Sequence, residues 1–381
     1  MAIAVTANDY QALARRRLPR FLADYLDGGA GAEQTLAANA AAWAELAIRQ
    51  RVLVDVGAVD TATELLGERC AMPLALAPVG LAGMMARRGE AQAARAARAA
   101  GLPFTLSTVG ICGLAEVAAA AGAAPWFQLY MLRDRGVVEA LLGEAWETGC
   151  RTLVFTVDLP MAGPRHRDPR NGLGLPGAGA KLLRLRQLLA RPGWIARVGL
   201  GGKPHVFGCL HRHVAGAPDL DAFKAWVDAQ FDPTVTWADI AWLRARWRGK
   251  LVLKGLLDPA DAIAAVDAGA DAIVVSNHGG RQLDGAAATA AQLPAMAAAV
   301  AGRAELLVDG GLRSGVDVFR ALALGARGVL VGRPWAWALA AGGEAAVGAL
   351  LGTWRRELAV TMALAGVTRV ADIGPGHLDR G

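Results

Sequence analysis

Polar side chains that could bind anions, move protons or donate hydrogen bonds recur at the ends of short apolar runs. In chain order these ends are Pro78-Val79-Gly80, Ser107-Thr108, Gln128-Leu129-Tyr130, Thr156-Val157-Asp158, Lys254, Ser276-Asn277-His278, Asp309-Gly310-Gly311 and Gly332-Arg333. A structural role is the simpler explanation for any one of them. Their repetition indicates a shared active site, because the carboxyl ends of parallel strands meet at one end of a barrel.

Two glycine-rich turns, Asp309–Gly315 and Val331–Arg333, follow the last two runs. Backbone N–H groups and a helix start in such turns can hold a phosphate, and Arg313 and Arg333 add charged donors. Ordinary turns with surface arginines are the alternative. Another glycine motif, Gly172–Gly177, has the spacing GxGxxG, but it follows no strand and contains a proline. We therefore predict a loop there rather than a nicotinamide-dinucleotide site.

The apolar runs are continuous rather than alternating, which is typical of parallel strands buried on both faces. We predict strands at Pro73–Pro78, Pro103–Ser107, Trp126–Tyr130, Thr152–Asp158, Leu251–Lys254, Ala272–Ser276, Glu305–Asp309 and Gly328–Val331. Helices are predicted between them at Glu90–Ala100, Leu114–Ala121, Val137–Thr148, Asp258–Ala268 and Ser314–Leu324. This alternation favours a closed (β/α)8 barrel, the TIM-barrel fold, over a doubly wound open sheet.

Two segments fall outside the alternation. Asn8–Glu45 is predicted to be helical and precedes the barrel, and Leu159–Lys250 is a long insertion after the fourth strand. We expect one domain over residues 1–381, with the insertion at 159–250. The chain has a net charge of +6, and the excess lies in Pro169–Pro218, which contains eight basic residues and no acidic residue. That segment needs an explanation of its own.

The composition argues against several classes of protein. Hydrophobic residues make up 54% of the chain, which is enough for a sizeable core. The least charged stretches, Gly285–Gly302 and Pro334–Trp354, are rich in alanine and fit buried helices better than membrane spans. The N-terminus lacks the pattern of a secretory signal. The four cysteines are widely spaced, so we expect reduced thiols in a cytoplasmic protein, with no disulfide and no metal site.

The segment Ser276–Asp284, with the sequence SNHGGRQLD, resembles the active-site signature of the FMN-dependent L-2-hydroxy acid dehydrogenases and oxidases. The resemblance continues nearly end to end through Asp24–Gly29, Leu76–Gly80, Trp126–Tyr130, Thr156–Asp158, Leu253–Gly255 and Asp309–Arg313. Within the family, the chain is most similar to the bacterial respiratory L-lactate dehydrogenases, with mandelate dehydrogenase next. The resemblance implies a (β/α)8 barrel, an FMN cofactor and a homotetramer.

The resemblance also implies catalytic roles. His278 corresponds to the proton acceptor at the substrate hydroxyl, and Asp158 would orient its ring and stabilise the imidazolium. Arg281 and Arg165 correspond to the pair that binds the substrate carboxylate, which suits a guanidinium fork better than a lysine. Arg167 lies close by in the sequence, but the spacing from Asp158 favours Arg165.

Tyr25 and Tyr130 correspond to tyrosines that hydrogen-bond the substrate carboxylate and the reacting oxygen. Lys254 corresponds to a cation beside the flavin that tunes its electronics. The remaining implied cofactor contacts are Pro78, Val79, Gly80, Ser107, Gln128, Thr156 and Ser276 at the ring, and Asp309, Gly311, Arg313, Gly332 and Arg333 at the ribityl chain and phosphate.

Two positions bear on substrate and electron acceptor. Val109 stands where the glycolate-type oxidases carry tryptophan, which leaves room for lactate or a larger acid. Gly80 stands where family oxidases often carry alanine, and glycine resembles the dehydrogenases that pass electrons to the membrane. We therefore expect oxidation of an L-2-hydroxy acid, most simply L-lactate to pyruvate, with a quinone or other membrane acceptor. An oxygen-using oxidase, a mandelate dehydrogenase, a non-redox FMN isomerase and a flavin-free scaffold that binds partners are the alternatives.

The basic insertion mixes cations with large apolar residues in Lys181–Arg191 and in Trp194-Ile195. Such a segment could lie on an anionic membrane surface, as this insertion does in the membrane-linked members of the family that the chain resembles. A solvated active-site loop and a nucleic-acid patch are the alternatives, and sparse aromatic residues argue against the latter. We expect peripheral attachment through residues 181–197 to the cytoplasmic side of the inner membrane.

Overall fold

The computed structural model describes residues 3–175, 177–213 and 229–379. A hairpin, β1 (Thr63–Leu65) and β2 (Glu68–Cys70), precedes eight parallel strands: β3 (Leu74–Leu76), β4 (Thr105–Ser107), β5 (Trp126–Leu129), β6 (Thr152–Thr156), β7 (Lys250–Leu256), β8 (Ala272–Val275), β9 (Glu305–Val308) and β10 (Gly328–Val331). β10 pairs with β3, and a parallel bridge from Leu76 to Phe104 joins β3 to the segment that leads into β4. The sheet closes on itself, and the predicted (β/α)8 barrel is confirmed.

The barrel strands lie at the predicted positions, but most of them are shorter than predicted. Every residue of β3, β4, β5, β6, β8 and β10 is buried, because one face fills the barrel and the other packs under helices. At five predicted ends the strand stops one or two residues early. The residues predicted to end these strands, Pro78, Tyr130, Asp158, Ser276 and Asp309, therefore stand in the loops that follow them.

The helices alternate with the strands close to the predicted bounds. They span Ala82–Met85, Gly89–Ala99, Leu114–Ala121, Arg135–Glu147, Pro259–Asp267, Thr289–Val300, Gly315–Ala323 and Arg333–Leu364. The two alanine-rich stretches of low charge belong to Thr289–Val300 and Arg333–Leu364, and the latter bends sharply at Gly343, where φ is 68°. Among the residues that the structure describes, no helix is long and apolar enough to cross a membrane.

The N-terminal segment is helical, as predicted, in three pieces: Ala7–Arg17, Arg20–Asp27 and Gln34–Ala44. The first helix ends at Leu18, whose ψ of 147° is extended because a residue before proline avoids helical geometry. Asp27 is buried and accepts hydrogen bonds from Gln11, Arg15 and Trp337. These contacts fasten the N-terminal helices to the helix that follows β10.

The β1–β2 hairpin is absent from the sequence-based prediction. Its turn holds Leu66 (φ 53°) and Gly67 (φ 85°) in the left-handed region that tight hairpins require. Leucine is uncommon there, so the turn has no sequence signal. Glu68 accepts a hydrogen bond from Trp126 at the start of β5, and Leu66 donates its N–H to Glu305 at the start of β9. The hairpin therefore covers the amino end of the barrel.

Part of the insertion lines the cavity at the carboxyl end of the barrel, while its last helix lies beside the Arg135–Glu147 helix, where Arg246 pairs with Glu139. Its helical segments are Arg167–Arg170, Ala178–Leu189, Pro192–Trp194, Ile195–Leu200, His211–His213 and Trp237–Arg246. Trp194 donates from Nε1 to the carbonyl of Met84 at 2.8 Å, and Phe231 pairs with Leu132 in an antiparallel bridge. Residues 172–175 of the GxGxxG motif form no helix, as expected of a loop, and Pro176 lies outside the described residues, as do the last residues of the basic segment.

The four cysteines are buried free thiols: Cys70, Cys112, Cys150 and Cys209. Burial raises the pKa of the Cys70 and Cys150 thiols to about 12. It also raises the pKa of the other two. Thiols of this kind are protonated near neutral pH and are poor nucleophiles, so the cysteines serve as small core residues.

Candidate active site

A cavity opens at the carboxyl ends of the barrel strands. Of the residues assigned to the site from sequence, it is lined by Tyr25, Pro78, Val79, Gly80, Tyr130, Thr156, Arg165, Lys254, His278, Arg281, Asp309, Gly311, Arg313, Gly332 and Arg333. Four of the assigned residues do not line the cavity but hydrogen-bond to residues that do: Asp158, Ser107, Gln128 and Ser276. Residues from widely separated parts of the chain thus meet in one place, as the barrel geometry requires.

His278 and Asp158 form a hydrogen-bonded pair at the cavity wall. Nδ1 of His278 lies 2.8 Å from Oδ1 of Asp158, which leaves Nε2 as the ring nitrogen available to a substrate. Burial alone would raise the pKa of the Asp158 carboxyl, but the neighbouring His278 and Lys254 outweigh it and lower that pKa below its ordinary value. A carboxylate that stays ionised can orient the imidazole and stabilise its protonated form.

The approach of Asp158 depends on a glycine in β7. The register of β7 against β8 shifts between Lys254 and Leu256, and the intervening Gly255 has a φ of 111°. A Cβ on Gly255 would lie 2.6 Å from Cβ and Cγ of Asp158. The bulge re-aims the strand, as bulges next to active sites commonly do, and the missing side chain leaves room for the carboxylate.

His278 itself has a left-handed backbone, with φ of 57°. This conformation costs about 1 kcal/mol for a non-glycine residue and persists only where surrounding contacts hold it. The N–H of His278 donates to Oγ of Ser276 at 3.1 Å. Gly280, with φ of 73°, packs so closely on the Gln34–Ala44 helix that a Cβ would lie 2.5 Å from the Leu36 nitrogen. The two glycines after His278 therefore fix the path of the loop.

Lys254 is a buried cation at the centre of a second hydrogen-bonded group. Its Nζ lies 2.9 Å from Oδ2 of Asp309 and 2.9 Å from Oγ of Ser276. Burial alone would lower the pKa of the ammonium group, but Asp309 and Asp158 outweigh it and raise that pKa. Lys254 therefore stays charged, and the site keeps a fixed positive charge beside His278.

A neutral hydrogen-bonded chain occupies the neighbouring strand ends. Ser107 donates from Oγ to Oε1 of Gln128 at 3.0 Å, and Gln128 donates from Nε2 to Oγ1 of Thr156 at 3.1 Å. Ser107 and Gln128 are opposite each other in the β4–β5 register, and both are buried. Of the three, only Thr156 lines the cavity. Ser107 and Gln128 thus bond to the lining residues Val109 and Thr156, and Ser276 bonds to Lys254 and His278.

Two arginines flank Tyr25. The guanidinium carbons of Arg281 and Arg165 lie 4.8 and 5.6 Å from the centre of its ring. Nη1 of Arg281 donates to the carbonyls of Tyr25 and Gly28, which leaves Nε and Nη2 without a protein partner among the described residues. Burial and then the nearby Arg165 lower the pKa of Arg281. Nε of Arg165 lies 3.5 Å from Oδ2 of Asp168, so the two terminal nitrogens of Arg165 and the free donors of Arg281 are the groups suited to a carboxylate.

Arg167, the rival to Arg165, has a different environment. Its guanidinium forms ion pairs with Glu33 and, at 3.6 Å, with Asp24. The hydrogen bond to Glu33 raises the pKa of Arg167. Arg167 is not among the residues that line the cavity, whereas Arg165 is. Its role is to tie the insertion to the N-terminal helices, and the geometry supports the choice of Arg165.

Arg313 and Arg333 stand at the other side of the cavity. Arg333 uses three of the five donors of a guanidinium group on the backbone carbonyls of Leu26, Gly28 and Gly279. Burial, followed by the charges of Arg281 and Arg313, lowers the pKa of Arg333 well below its ordinary value. Arginines remain charged in proteins, so Arg281, Arg313 and Arg333 bring buried positive charge to the cavity.

The cavity has the features that an FMN molecule needs. Oδ1 of Asp309 is buried without a hydrogen-bond partner among the described residues, as an acceptor for a ribityl hydroxyl would be. The buried arginines suit a phosphate. The space around Gly332, which follows β10, is open, because a Cβ added there would have no atom nearer than 3.7 Å. Lys254 supplies a cation at the barrel axis. The donor set therefore fits the cofactor that the motifs imply.

Residues 14–380 match the family model described as FMN-dependent dehydrogenase. The chain belongs to this family. FMN is accordingly its cofactor, and the chain is an FMN-dependent oxidoreductase.

Curated relatives cover nearly all of this FMN-dependent dehydrogenase. An L-lactate dehydrogenase of Caulobacter vibrioides is 55% identical over 371 residues, which is 97% of this chain and 96% of the relative. An L-lactate dehydrogenase of Allorhizobium ampelinum is 50% identical over 379 residues, with full coverage of both chains. Among solved structures, the monotopic membrane protein (S)-mandelate dehydrogenase superposes with a TM-score of 0.93 at 33% identity, with full coverage of both chains. A mandelate oxidase superposes with a TM-score of 0.82 at 41% identity, covering 99% of this chain and 98% of its own.

An aromatic wall that is not predicted from the sequence closes one side of the cavity in this FMN-dependent dehydrogenase. Phe207 and Phe231 come from the insertion and line the cavity beside Tyr130. The rings of Tyr130 and Phe231 meet edge to face, with centroids 5.1 Å apart. Burial raises the pKa of the Tyr130 phenol, which therefore stays a hydrogen-bond donor. No strand or motif precedes these phenylalanines, so only the fold shows that they face the cavity.

Gln282 is a third residue whose role is not predicted from the sequence. Its Nε2 donates to the carbonyls of Asp158 and Met161 at 2.9 Å, and its Oε1 accepts from the N–H of Gly163 at 3.1 Å. Gln282 thereby joins the loop after β6 to the loop that carries His278. Its position inside the SNHGGRQLD segment is the signal that could have identified it.

Proposed function

We propose that this enzyme oxidises L-lactate to pyruvate, using the cavity at the carboxyl ends of the barrel strands. The observation that carries the proposal is the His278–Asp158 hydrogen bond of 2.8 Å in the same cavity as Arg165 and Arg281. In an FMN-dependent oxidation of a 2-hydroxy acid, the protein must supply a proton acceptor and groups that bind the substrate carboxylate. Relatives that cover the whole chain are named L-lactate dehydrogenases, which supports L-lactate among such acids.

Each residue of the cavity has a separate role in this oxidation. Arg165 and Arg281 bind the substrate carboxylate and so fix the orientation of the carbon that carries the hydroxyl. Tyr130 donates a hydrogen bond near the reacting oxygen. Nε2 of His278 accepts the hydroxyl proton, and Asp158 stabilises the resulting imidazolium. Lys254 and Asp309 are among the residues that would hold FMN, which, when bound, would take up the hydrogen of the substrate carbon together with its two electrons.

Turnover with matched substrates tests this proposal. The FMN-loaded enzyme is supplied with an artificial dye acceptor and either L-lactate, D-lactate or (S)-mandelate. We expect dye reduction and an equal amount of pyruvate with L-lactate, and at most a trace of either with D-lactate. Faster turnover of (S)-mandelate than of L-lactate would contradict the choice of substrate, and equal turnover of both lactate enantiomers would contradict the binding geometry.

We further propose that the acceptor is a quinone or another membrane component rather than oxygen. The position of Gly80 supports this, because glycine there resembles the dehydrogenases of the family. A Cβ on Gly80 would lie 2.8 Å from Cγ2 of Val109 and 3.3 Å from the Tyr25 hydroxyl, so the surroundings favour glycine. In air, without a dye acceptor, we expect L-lactate to yield little peroxide. Stoichiometric peroxide would establish the oxygen-using alternative instead.

The Ala178–Leu189 helix supports a membrane-attached location, which we propose to be the cytoplasmic face of the inner membrane. Leu182, Leu185 and Leu189 form one exposed stripe, since they are spaced by three and four residues. The opposite face meets the protein through Gln187, whose Oε1 accepts from the N–H of Phe21 at 2.7 Å. Lys181, Arg184 and Arg186 belong to the same helix. A leucine stripe with basic neighbours is suited to an anionic lipid surface, and a monotopic membrane protein is among the structural neighbours.

Vesicle flotation tests the membrane proposal. The double substitution Leu185→Asp/Leu189→Asp places two charges on the stripe and leaves Gln187 in place. We expect it to weaken binding to vesicles of phosphatidylglycerol and phosphatidylcholine by at least about tenfold, because buried apolar area drives such binding. Ile263→Asp, at an exposed position on a barrel helix, is the control and should bind as well as wild type. Unchanged binding by the double variant would contradict the proposal.

We also propose that the enzyme works as a homo-oligomer, the tetramer that the family resemblance implies.

A further inference from the structure

Asn39, on the Gln34–Ala44 helix, forms a reciprocal pair of hydrogen bonds with Asn277, the residue before His278. Nδ2 of Asn39 donates to Oδ1 of Asn277 at 2.8 Å, and Nδ2 of Asn277 donates to Oδ1 of Asn39 at 2.9 Å. Both side chains are almost fully buried. A buried amide destabilises the protein unless its donors and acceptors have partners, so such a pair fixes the two segments that carry it.

Backbone groups determine the orientation of both amides. Oδ1 of Asn39 also accepts from the N–H of Thr289 at 3.2 Å, and Oδ1 of Asn277 accepts from the N–H of Gly280 at 3.1 Å. Nδ2 of Asn277 donates a further hydrogen bond to the carbonyl of Ala287 at 2.9 Å. Because a backbone N–H can only donate, neither amide can turn over without losing these bonds. The pair therefore has a single arrangement.

Asn277 holds the turn that carries His278. Its side-chain oxygen and its carbonyl oxygen both accept from the N–H of Gly280, at 3.1 and 3.0 Å, so His278 lies inside a closed turn. The left-handed backbone of His278 persists only where such contacts maintain it. Among the described residues, Asn39 is the only side chain that bonds to the Asn277 amide. Asn39 therefore anchors this turn from the N-terminal helices.

Asn39 also contacts the turn at residues 309–311, after β9, which is assigned to the ribityl chain and phosphate of FMN. A Cβ on Gly311 would lie 2.2 Å from the carbonyl oxygen of Asn39, and one on Gly310 would lie 3.4 Å from its Nδ2. Trp43, one turn further along the helix, donates from Nε1 to the carbonyl of Gly310 at 2.7 Å. One face of the Gln34–Ala44 helix thus contacts both the turn of the proton acceptor and the turn of the cofactor.

We infer that Asn39 is a positioning residue, which keeps His278 in register with the FMN-binding turn at residues 309–311. Asn39 does not line the cavity, so it acts on the reaction through Asn277 and the glycine turn. The inference rests on the role of His278 in the proposed function. Register matters because a misplacement of about 1 Å between reacting groups can lower a rate about 100-fold.

A double-mutant cycle tests the route through Asn277. Asn39→Ala and Asn277→Ala should each lower kcat for L-lactate, per bound flavin, at least about tenfold, because each leaves buried groups unpaired and loosens the turn. KM should change less than about threefold, since Arg281 is anchored separately at the carbonyls of Tyr25 and Gly28. The loss in the double variant should be at least about fivefold smaller than the product of the two single losses. Single losses that simply multiply would overturn the inference.

Release of FMN from the holoenzyme is a second readout, which does not depend on turnover. On dilution, Asn39→Ala should release FMN at least about fivefold faster than wild type, as followed by flavin fluorescence, because the turn at residues 309–311 loses a contact. Thr61→Ala is the matched control, since Thr61 is buried and donates to the carbonyl of Ala71 away from the cavity. It should lower the thermal stability and keep both kcat and FMN release. Wild-type kcat or wild-type FMN release in folded Asn39→Ala would overturn the inference.

Asn39→Asp decides the matter if Asn39→Ala does not fold. Aspartate keeps the shape and the acceptor oxygen but loses the donor to Asn277, so kcat should again fall with little change in KM. An unchanged kcat in this variant would overturn the inference. A wild type that does not oxidise L-lactate would contradict the proposed function, whereas the rate of FMN release would still report on Asn39.

Discussion

The barrel strand ends and the insertion after β6 both build the active-site cavity, but they do so differently. The strand ends contribute charged and hydrogen-bonded groups that hold one another: His278 with Asp158, and Lys254 with Asp309. The insertion contributes Arg165 together with the apolar wall of Phe207 and Phe231. The barrel strand ends thus carry the catalytic groups, and the insertion shapes the substrate pocket.

The strand-end groups and the insertion residues differ in the contacts that hold them, and this explains their different roles. A proton acceptor must be held in position, and each of these groups is fixed by a short polar contact to a residue at the end of another barrel strand. The residues of the insertion are held by longer-range packing, such as the edge contact of Phe231 with Tyr130. Substitutions at the strand ends should therefore change the rate of the chemical step, and substitutions in the insertion should change which acid is preferred.

The largest effect is expected from His278→Ala. Removing the proton acceptor should lower kcat for L-lactate by about 10²- to 10⁴-fold and leave FMN bound. His211→Ala, at an exposed histidine of the insertion, is the matched control and should retain wild-type turnover. Steady-state turnover with a dye acceptor and the flavin spectrum measure both quantities. A loss of no more than tenfold in His278→Ala would contradict the role of His278 as base.

The next effect is expected from Asp158→Asn, which keeps the shape of the side chain but removes its charge. We expect kcat/KM to fall about 100-fold, because the imidazolium loses its stabilising carboxylate. The lowered pKa of Asp158 sets the pH dependence: the carboxylate is ionised above the ordinary value of 3.8, and its contribution is lost only as the pH falls below that value. Above that pH, protonation of Asp158 itself should therefore cause no change in the ratio of wild type to variant. Convergence of the two profiles at mildly acidic pH would contradict this assignment.

A smaller effect is expected from Arg165→Lys in the insertion. Lysine keeps the charge but loses the forked donors, so KM for L-lactate should rise about tenfold with little change in kcat. Arg167→Lys is the control two residues away. It should leave KM unchanged and lower the thermal stability, because Arg167 binds Glu33 and Asp24 rather than the cavity. If KM for L-lactate rose in Arg167→Lys and not in Arg165→Lys, Arg167 rather than Arg165 would bind the substrate carboxylate.

The smallest effect is expected from Phe231→Ala. Shortening this wall residue should raise the ratio of kcat/KM for (S)-mandelate to that for L-lactate by about tenfold, since pocket volume discriminates apolar groups only modestly. Trp237→Ala, at an exposed aromatic residue on the following helix, should leave the ratio unchanged. A fall in kcat with an unchanged ratio would show that Phe231 supports Tyr130 rather than selecting the substrate.

The difference between the barrel strand ends and the insertion also explains how much of the structure could be predicted from the sequence. Continuous apolar runs and the polar residues after them predict the barrel and its strand-end groups, because both follow from local pattern. The aromatic wall could not be predicted, since Phe207 and Phe231 stand in a segment without periodicity and face the cavity only through the tertiary path of the insertion. The β1–β2 hairpin was also missed, because Leu66 adopts a conformation in its turn that leucine rarely takes.

Ser107, Gln128 and Ser276 show a subtler limit. All three lie at or next to the end of a strand, but that position does not reveal whether a side chain lines the cavity or stands behind it. Gln128 is buried and hydrogen-bonds to Thr156, which lines the cavity. The distinction depends on the layering of side chains inside the barrel, which a single sequence does not specify.

The most direct test of the account is to add L-lactate, in the absence of oxygen and of any other acceptor, to the purified FMN-loaded enzyme and to follow the flavin absorbance. The account predicts rapid bleaching with L-lactate and none with D-lactate, because substrate and cofactor meet in one cavity beside His278. A yellow protein that L-lactate does not bleach would contradict the assignment of the substrate, and a protein that does not retain FMN would contradict the account of the cavity itself.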